Sequence, residues 1–193
     1  GNYLAPGVDL RNQEAIAWLE RRGYRRIREN ENLLIDLAGN PRVTAARRDE
    51  LAARAAAVGY QVRRARPPDR APLLDAIDRA FGRAWPHEVA RALDHTPATV
   101  HVALTGAGEV AAFAAHDGNN RGLGWFGPTG TLEPHRGRGL GEALLIACLV
   151  DVVGAGHATC EVAWIGPRRF YERAAGVAGA RRFLVLEKEL TNS

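Results

Sequence analysis

Methionine is absent, lysine occurs once, at Lys188, and cysteine twice, at Cys148 and Cys160, in a chain of 193 residues. With no methionine there is no encoded start, and Gly1-Asn2-Tyr3-Leu4 reads as opening inside a strand. A native protein extending upstream of Gly1 is therefore expected, the alternative being a short extension left by processing or tag removal. One cysteine falls in a helical run and the other in a strand-like run, without Cys-x-x-Cys spacing, which argues against a disulfide framework and a zinc site. The six histidines, His87, His95, His101, His116, His135 and His157, show no paired helical spacing, so no metal is expected. No apolar run approaches the roughly 20 residues of a membrane span, and no charged-apolar-small leader marks secretion. A cytoplasmic protein without a membrane partner fits these absences.

The scarcity of lysine also bears on charge. All but one of the 26 basic residues are arginine, and the formal net charge is +4. Arginine pairs at 21–22, 25–26, 47–48 and 63–64 could follow a nucleic-acid backbone, but no aromatics are interleaved to stack bases. They read as solvated faces, and nucleic acid is not the expected partner. At 46% hydrophobic residues the chain can bury one full core with an appended segment.

What is present concentrates around one turn. Trp125 to Leu132 is strand-like; Leu140, Leu144, Leu145, Cys148 and Val152 recur at helical spacing until Gly154 and Gly156 stop the helix. Between them runs Glu133-Pro134-His135-Arg136-Gly137-Arg138-Gly139-Leu140-Gly141-Glu142. Alternating glycines let the backbone bend and bring bare N–H groups at a helix N-terminus close to an anion, which describes a pyrophosphate receptor. The spacing G-x-G-x-G differs from the dinucleotide fingerprint G-x-G-x-x-G, and Gly141-Glu142-Ala143 lacks the Gly-Lys-Ser/Thr of a nucleotide-triphosphate loop. A plain glycine-rich strand-to-helix turn is the bland alternative.

Arg136-Gly137-Arg138-Gly139-Leu140-Gly141 resembles motif A of the GNAT superfamily, the acyl-coenzyme A N-acyltransferases, with its pattern Arg/Gln-x-x-Gly-x-Gly/Ala. Downstream, the strand Ala158 to Trp164, the helix Arg168 to Ala175 containing Phe170-Tyr171-Glu172-Arg173, Gly176 and the strand Arg181 to Leu190 are similar to motif B. Upstream, Gly59 to Asp69 looks like an opening strand and turn. A helix through Leu73, Leu74, Ile77 and Phe81, a second from Pro86 to Leu93, and a hairpin of Thr99–Leu104 and Glu109–Ala115 follow. The resemblance implies an α/β (α+β) fold, a mixed but mostly antiparallel sheet flanked by helices, over residues 58–193.

The first residues repeat a fragment of that pattern. Glu14 to Tyr24 followed by Asn32 to Leu37 has the helix, glycine, strand order of Arg169 to Gly176 followed by Phe183 to Leu190. Residues 1–38 thus look like the tail of a preceding GNAT domain, with Leu19 in the tyrosine's place and no glycine-rich loop of its own. Such a piece cannot bury its apolar face alone. Docking on residues 58–190 of its own chain or on a second copy is expected, with residues 39–57 a solvated connecting helix.

The resemblance implies transfer of an acetyl or other short acyl group from acetyl-coenzyme A to a primary amine, with a small-molecule amine the expected acceptor. A non-catalytic acyl-coenzyme A binding module is the alternative. It assigns Tyr171 as general acid to the leaving thiolate. It gives donor binding to the backbone of Gly130, Thr131 and Leu132 and to Arg136, Gly137, Arg138, Gly139, Leu140, Gly141 and Glu142, with Phe170 beside them. An alkylamine is mostly protonated at neutral pH, so a base is needed; Glu133 and Glu161, directly or through water, are the sequence candidates. Gly127, Pro128 and Gly130 predict a bulged or short strand before the loop. Trp164 and Pro167 are expected to wall an acceptor cleft that favours a flat or apolar amine, with a core role for Trp164 as the other reading.

Overall fold

The computed structural model describes residues 7–190. The expected strand at Gly1 to Leu4 lies outside them. The elements run β1 (Val8–Asp9), α1 (Gln13–Arg21), β2 (Arg25–Asp36), α2 (Ala45–Ala57), β3 (Tyr60–Arg64), α3 (Arg70–Phe81), α4 (Ala84–Leu93), β4 (Val100–Thr105), β5 (Val110–His116), β6 (Trp125–Thr131), α5 (Leu140–Gly154), β7 (Thr159–Val162), α6 (Arg168–Ala174) and β8 (Gly179–Glu187). The strands form one sheet in the order β1-β8-β2-β7-β6-β5-β4-β3, antiparallel throughout except for β6 beside β7. This is the mixed, mostly antiparallel α/β architecture expected.

Alternation along the strands sorts the core onto two faces. Val100, Val102, Leu104, Val110, Phe113 and Ala115 point to the side covered by α3 and α4, where Leu73, Ile77 and Val89 are buried. On the other side, Leu33, Ile35, Ala112, Ala114, Cys160 and Val162 meet α5, whose Leu144, Leu145, Ile146 and Leu149 are all buried. Helix α5 lacks a polar face because α2 covers its outer side, with Leu51 and Ala55 buried against it. Both cysteines are buried and free.

A polar anchor fixes α5 on the sheet. Asp151 accepts from His101 Nε2 at 2.7 Å and pairs with Arg64 at 2.7 Å. Burial pushes its carboxyl up, but His101 and the adjacent His116 hold it well below the usual carboxylate range.

The N-terminal segment is woven into the sheet. Strand β2 runs between β8 and β7, antiparallel to both, from Arg25↔Glu187 to Leu34↔Gly179 on one side and from Leu33↔Val162 to Asp36↔Thr159 on the other. The units α1–β2 and α6–β8 therefore lay their strands side by side. Ile16 alone of the helical stripe Ile16, Trp18, Leu19 is buried; Trp18 is 47% exposed, with the Arg22 guanidinium 3.6 Å from its ring centroid. An exposed aromatic roofed by a cation needs no core position. Thr44 caps α2 by accepting from the Arg47 N–H.

Candidate active site

The site begins where two strands part. β6 and β7 are paired only at Trp125↔Glu161 and Phe126↔Val162; beyond that β7 ends while β6 continues along β5 to Thr131. The half of β6 from Gly127 onward has no partner strand on its β7 side. The Leu132 N–H donates to Ala111 O at 2.9 Å, and in an antiparallel ladder successive residues face opposite neighbours. Thr131 and Thr129 thus turn their backbone groups into the gap, and Leu132 and Gly130 toward β5. Leu132 was expected to offer its N–H to a donor substrate; that N–H is consumed by the hairpin. Gly130 is small for a different reason, since a Cβ there would lie 2.6 Å from the Phe81 ring. The pairing with β5 shifts register between Ala114 and His116, the irregularity that Gly127 and Pro128 predicted.

One turn of 3-10 helix, Glu133–His135, leads into the glycine loop. Gly137 (φ 75°) and Gly139 (φ 76°) adopt left-handed backbone, and a Cβ on either would meet nothing within 4 Å. The loop therefore presents an open face. Gly139 is the N-cap of α5, and the first intrahelical bond runs from Ala143 N–H to Gly139 O. The N–H groups of Leu140, Gly141 and Glu142 have no carbonyl to donate to within the helix, and they carry the positive end of the dipole. Leu140 is buried, its side chain in the core. Glu142 is tied at 2.5 Å to Arg47 on α2. Arg136 and Arg138 are exposed: Arg136 Nε donates to Thr131 O at 3.3 Å, and the Arg138 guanidinium lies 5.8 Å from the Tyr60 ring centroid. Neither has a carboxylate partner among the described residues, leaving two cations beside an anion-ready helix end.

A cleft of about 480 Å³ opens from the parted strands. Thr129, Gly130, Thr131 and Gly141 line it on the loop side, Phe170 and Tyr171 of α6 on its wall, and Trp85 and Glu88 of α4, Asn119, Asn120, Trp125 and Trp164 elsewhere. Phe170 is within 3.7 Å of where a Gly141 Cβ would stand, so the glycine keeps that passage open. Tyr171 is 5% exposed, edge-on to Phe170 at 5.0 Å and to Phe126 at 6.3 Å. Its hydroxyl has no hydrogen-bond partner among the described residues. Burial pushes the phenol up to about 12, so it stays protonated at neutral pH.

The two carboxylates proposed from sequence as bases do not line this cleft. Glu133 is exposed in the 3-10 turn. Glu161 projects from the sheet face opposite Cys160 and Val162, accepting from Asn32 Nδ2 at 2.7 Å with Arg181 at 3.6 Å. Sequence alternation could have flagged this, because Cys160 and Val162 claim the α5 face. Sequence reasoning missed Asn32 and Glu88. Asn32, buried on β2, also accepts from the Trp164 N–H at 3.1 Å, and Glu31 O accepts from the Ile165 N–H at 3.2 Å. Trp164 has left-handed backbone (φ 48°), so strand β2 pins the strained residue that borders the cleft.

No family model matches the chain, and no curated protein matches it. Solved structures do. A GCN5-related glucosamine N-acetyltransferase region of a fungal multi-domain GH3 β-N-acetylglucosaminidase aligns with TM-score 0.73 at 20% identity, over 95% of this chain and 24% of that one. A GCN5-related N-acetyltransferase from Sphaerobacter thermophilus gives 0.65 at 22% identity, over 92% and 58%. A tandem GNAT protein from the clavulanic acid biosynthesis pathway gives 0.58 at 18% identity, over 96% and 61%. The chain thus spans from 24% to 61% of the length of these three. The motif at Arg136 to Gly141, the mixed sheet and these alignments agree: the chain has the fold of the GCN5-related N-acetyltransferases.

Proposed function

We propose that this protein transfers an acetyl or other short acyl group from its coenzyme A thioester to a primary amine. One juxtaposition supports this reading above all: the anion-ready N-terminus of α5 and the unpaired stretch of β6 open into the same cleft as the protonated Tyr171 hydroxyl. In this reading the N–H groups of Leu140, Gly141 and Glu142, with Arg136 and Arg138, receive the pyrophosphate. The backbone of Thr129 and Thr131 pairs with the pantetheine arm and polarises the thioester carbonyl. The neutral amine attacks that carbonyl carbon; the C–N bond forms, the C–S bond breaks, the thiolate takes a proton from Tyr171, and the proton shed by the acylated nitrogen makes good the one Tyr171 gave. Two buried free cysteines suit a reducing cytoplasm.

Thiol release tests the reaction. Acetyl-coenzyme A should yield free thiol with at least one member of a primary-amine set that includes arylalkylamines and hexosamines, the latter because the fungal region is named for glucosamine. Thermal stabilisation by acetyl-coenzyme A with no thiol released by any amine would instead favour a binding module. For Tyr171→Phe the ring stays and the hydroxyl goes. Turnover is expected to fall by about 10²-fold or more with coenzyme A affinity retained. A wild-type rate across the pH range would remove Tyr171 from the chemistry.

A further inference from the structure

Glu88 is the only charged side chain among the residues lining the cleft. It is half-buried, and no hydrogen bond or ion pair engages its carboxylate among the described residues. The 25% of the chain that is charged makes unpaired carboxylates easy to avoid, yet this one faces a cavity otherwise lined by uncharged residues. A half-buried carboxylate without a partner loses solvation and gains nothing from the protein. A cation from outside would supply what it lacks.

The helix around it is firmly placed. Trp85, three residues earlier on the same face of α4, stacks on Phe81 at 5.0 Å and meets Phe113 of β5 edge-on at 6.2 Å. Gly118 is needed beside it, because a Cβ there would lie 3.0 Å from Glu88 O. Asn119 and Asn120 follow that glycine into the cleft lining. The lone carboxylate thus stands in the cleft lining three residues after Trp85 on α4, while Arg136 and Arg138 lie on the glycine loop outside that lining.

Resting on the acyltransfer reading for its role, we propose that Glu88 binds the acceptor's ammonium group and removes one proton from it, the acceptor being a primary amine carried on a flat or ring-shaped body that stacks on Trp85. The carboxylate takes H⁺ from R–NH₃⁺, giving a carboxylic acid and R–NH₂, whose lone pair then attacks the thioester carbonyl. After the C–S bond breaks, the second nitrogen proton balances the one Tyr171 gives to the thiolate, and the proton on Glu88 returns to solvent. Burial pushes the Glu88 carboxyl up, toward the range where a base works best at neutral pH. Unlike Glu133 and Glu161, Glu88 lines the cleft.

Amine binding measured without any coenzyme A separates this from the transfer reading. Tryptamine and glucosamine are titrated calorimetrically into wild type and Glu88→Gln, each against its neutral counterpart, tryptophol and glucose. Wild type should bind at least one amine about 10-fold or more tighter than its counterpart, and Glu88→Gln should erase that preference while both proteins melt alike. Which pair shows the preference tells an aromatic body from a sugar ring. No cation preference in wild type for either pair, no binding of either amine, or a preference that survives Glu88→Gln would overturn the proposal. Failure to bind coenzyme A would overturn the transfer reading and leave this result standing.

Discussion

Removing residues 1–38 is expected to abolish cooperative folding of the remainder. The deletion takes β1, α1 and β2 together, and among the described residues β1 and β2 are the only strands that β8 pairs with. Strand β8 would keep its sequence and lose its ladder on both edges, and β7 would gain an open edge. Buried Ile16, Leu33, Ile35 and Leu37 go as well, each worth about 1.5–3 kcal/mol, so roughly 6–12 kcal/mol of burial leaves a domain whose total stability is about 5–15 kcal/mol. Circular dichroism melts and size-exclusion chromatography should show a broad or absent transition and aggregation. A shortened chain that melts sharply at the parent temperature as a monomer would show that the β7–β2–β8 ladder carries little of the fold.

That weaving was not legible from sequence. The alternation Leu33, Ile35, Leu37 announces a half-buried strand, but pairing partners are chosen by contacts far along the chain. The strand also starts earlier than its apolar residues, at Arg25. Its first half is exposed and charged, held by pairs such as Glu29 with Arg182 and Arg25 with Glu189, so no period-2 pattern marks it. The loop Arg136 to Gly141 was legible because a positive φ, a helix start and an anion site all demand particular residues locally. Helix α6 was legible for similar reasons, bounded by Pro167 and Gly176. The base was not. Glu88 earns its place through α4 lying over β5 and β6, and a sequence shows only a carboxylate three residues after a tryptophan.

The second large effect concerns the loop itself and bears on the whole functional account, since without an anion site at α5 no coenzyme A thioester is held. Gly139 has left-handed backbone with open space where a side chain would go. Valine there costs about 1–2 kcal/mol of local strain and sets its methyls between the free N–H groups and any approaching phosphate. Losing two or three charge-assisted hydrogen bonds of about 1.5–3 kcal/mol each corresponds to at least about 10²-fold in affinity. The direct measurement is a calorimetric titration of coenzyme A into wild type and Gly139→Val, with a melt on each to confirm folding. Binding by wild type and a loss of at least about 10²-fold in the folded variant is the predicted result; equal affinity in the two, or no binding by wild type, would contradict it.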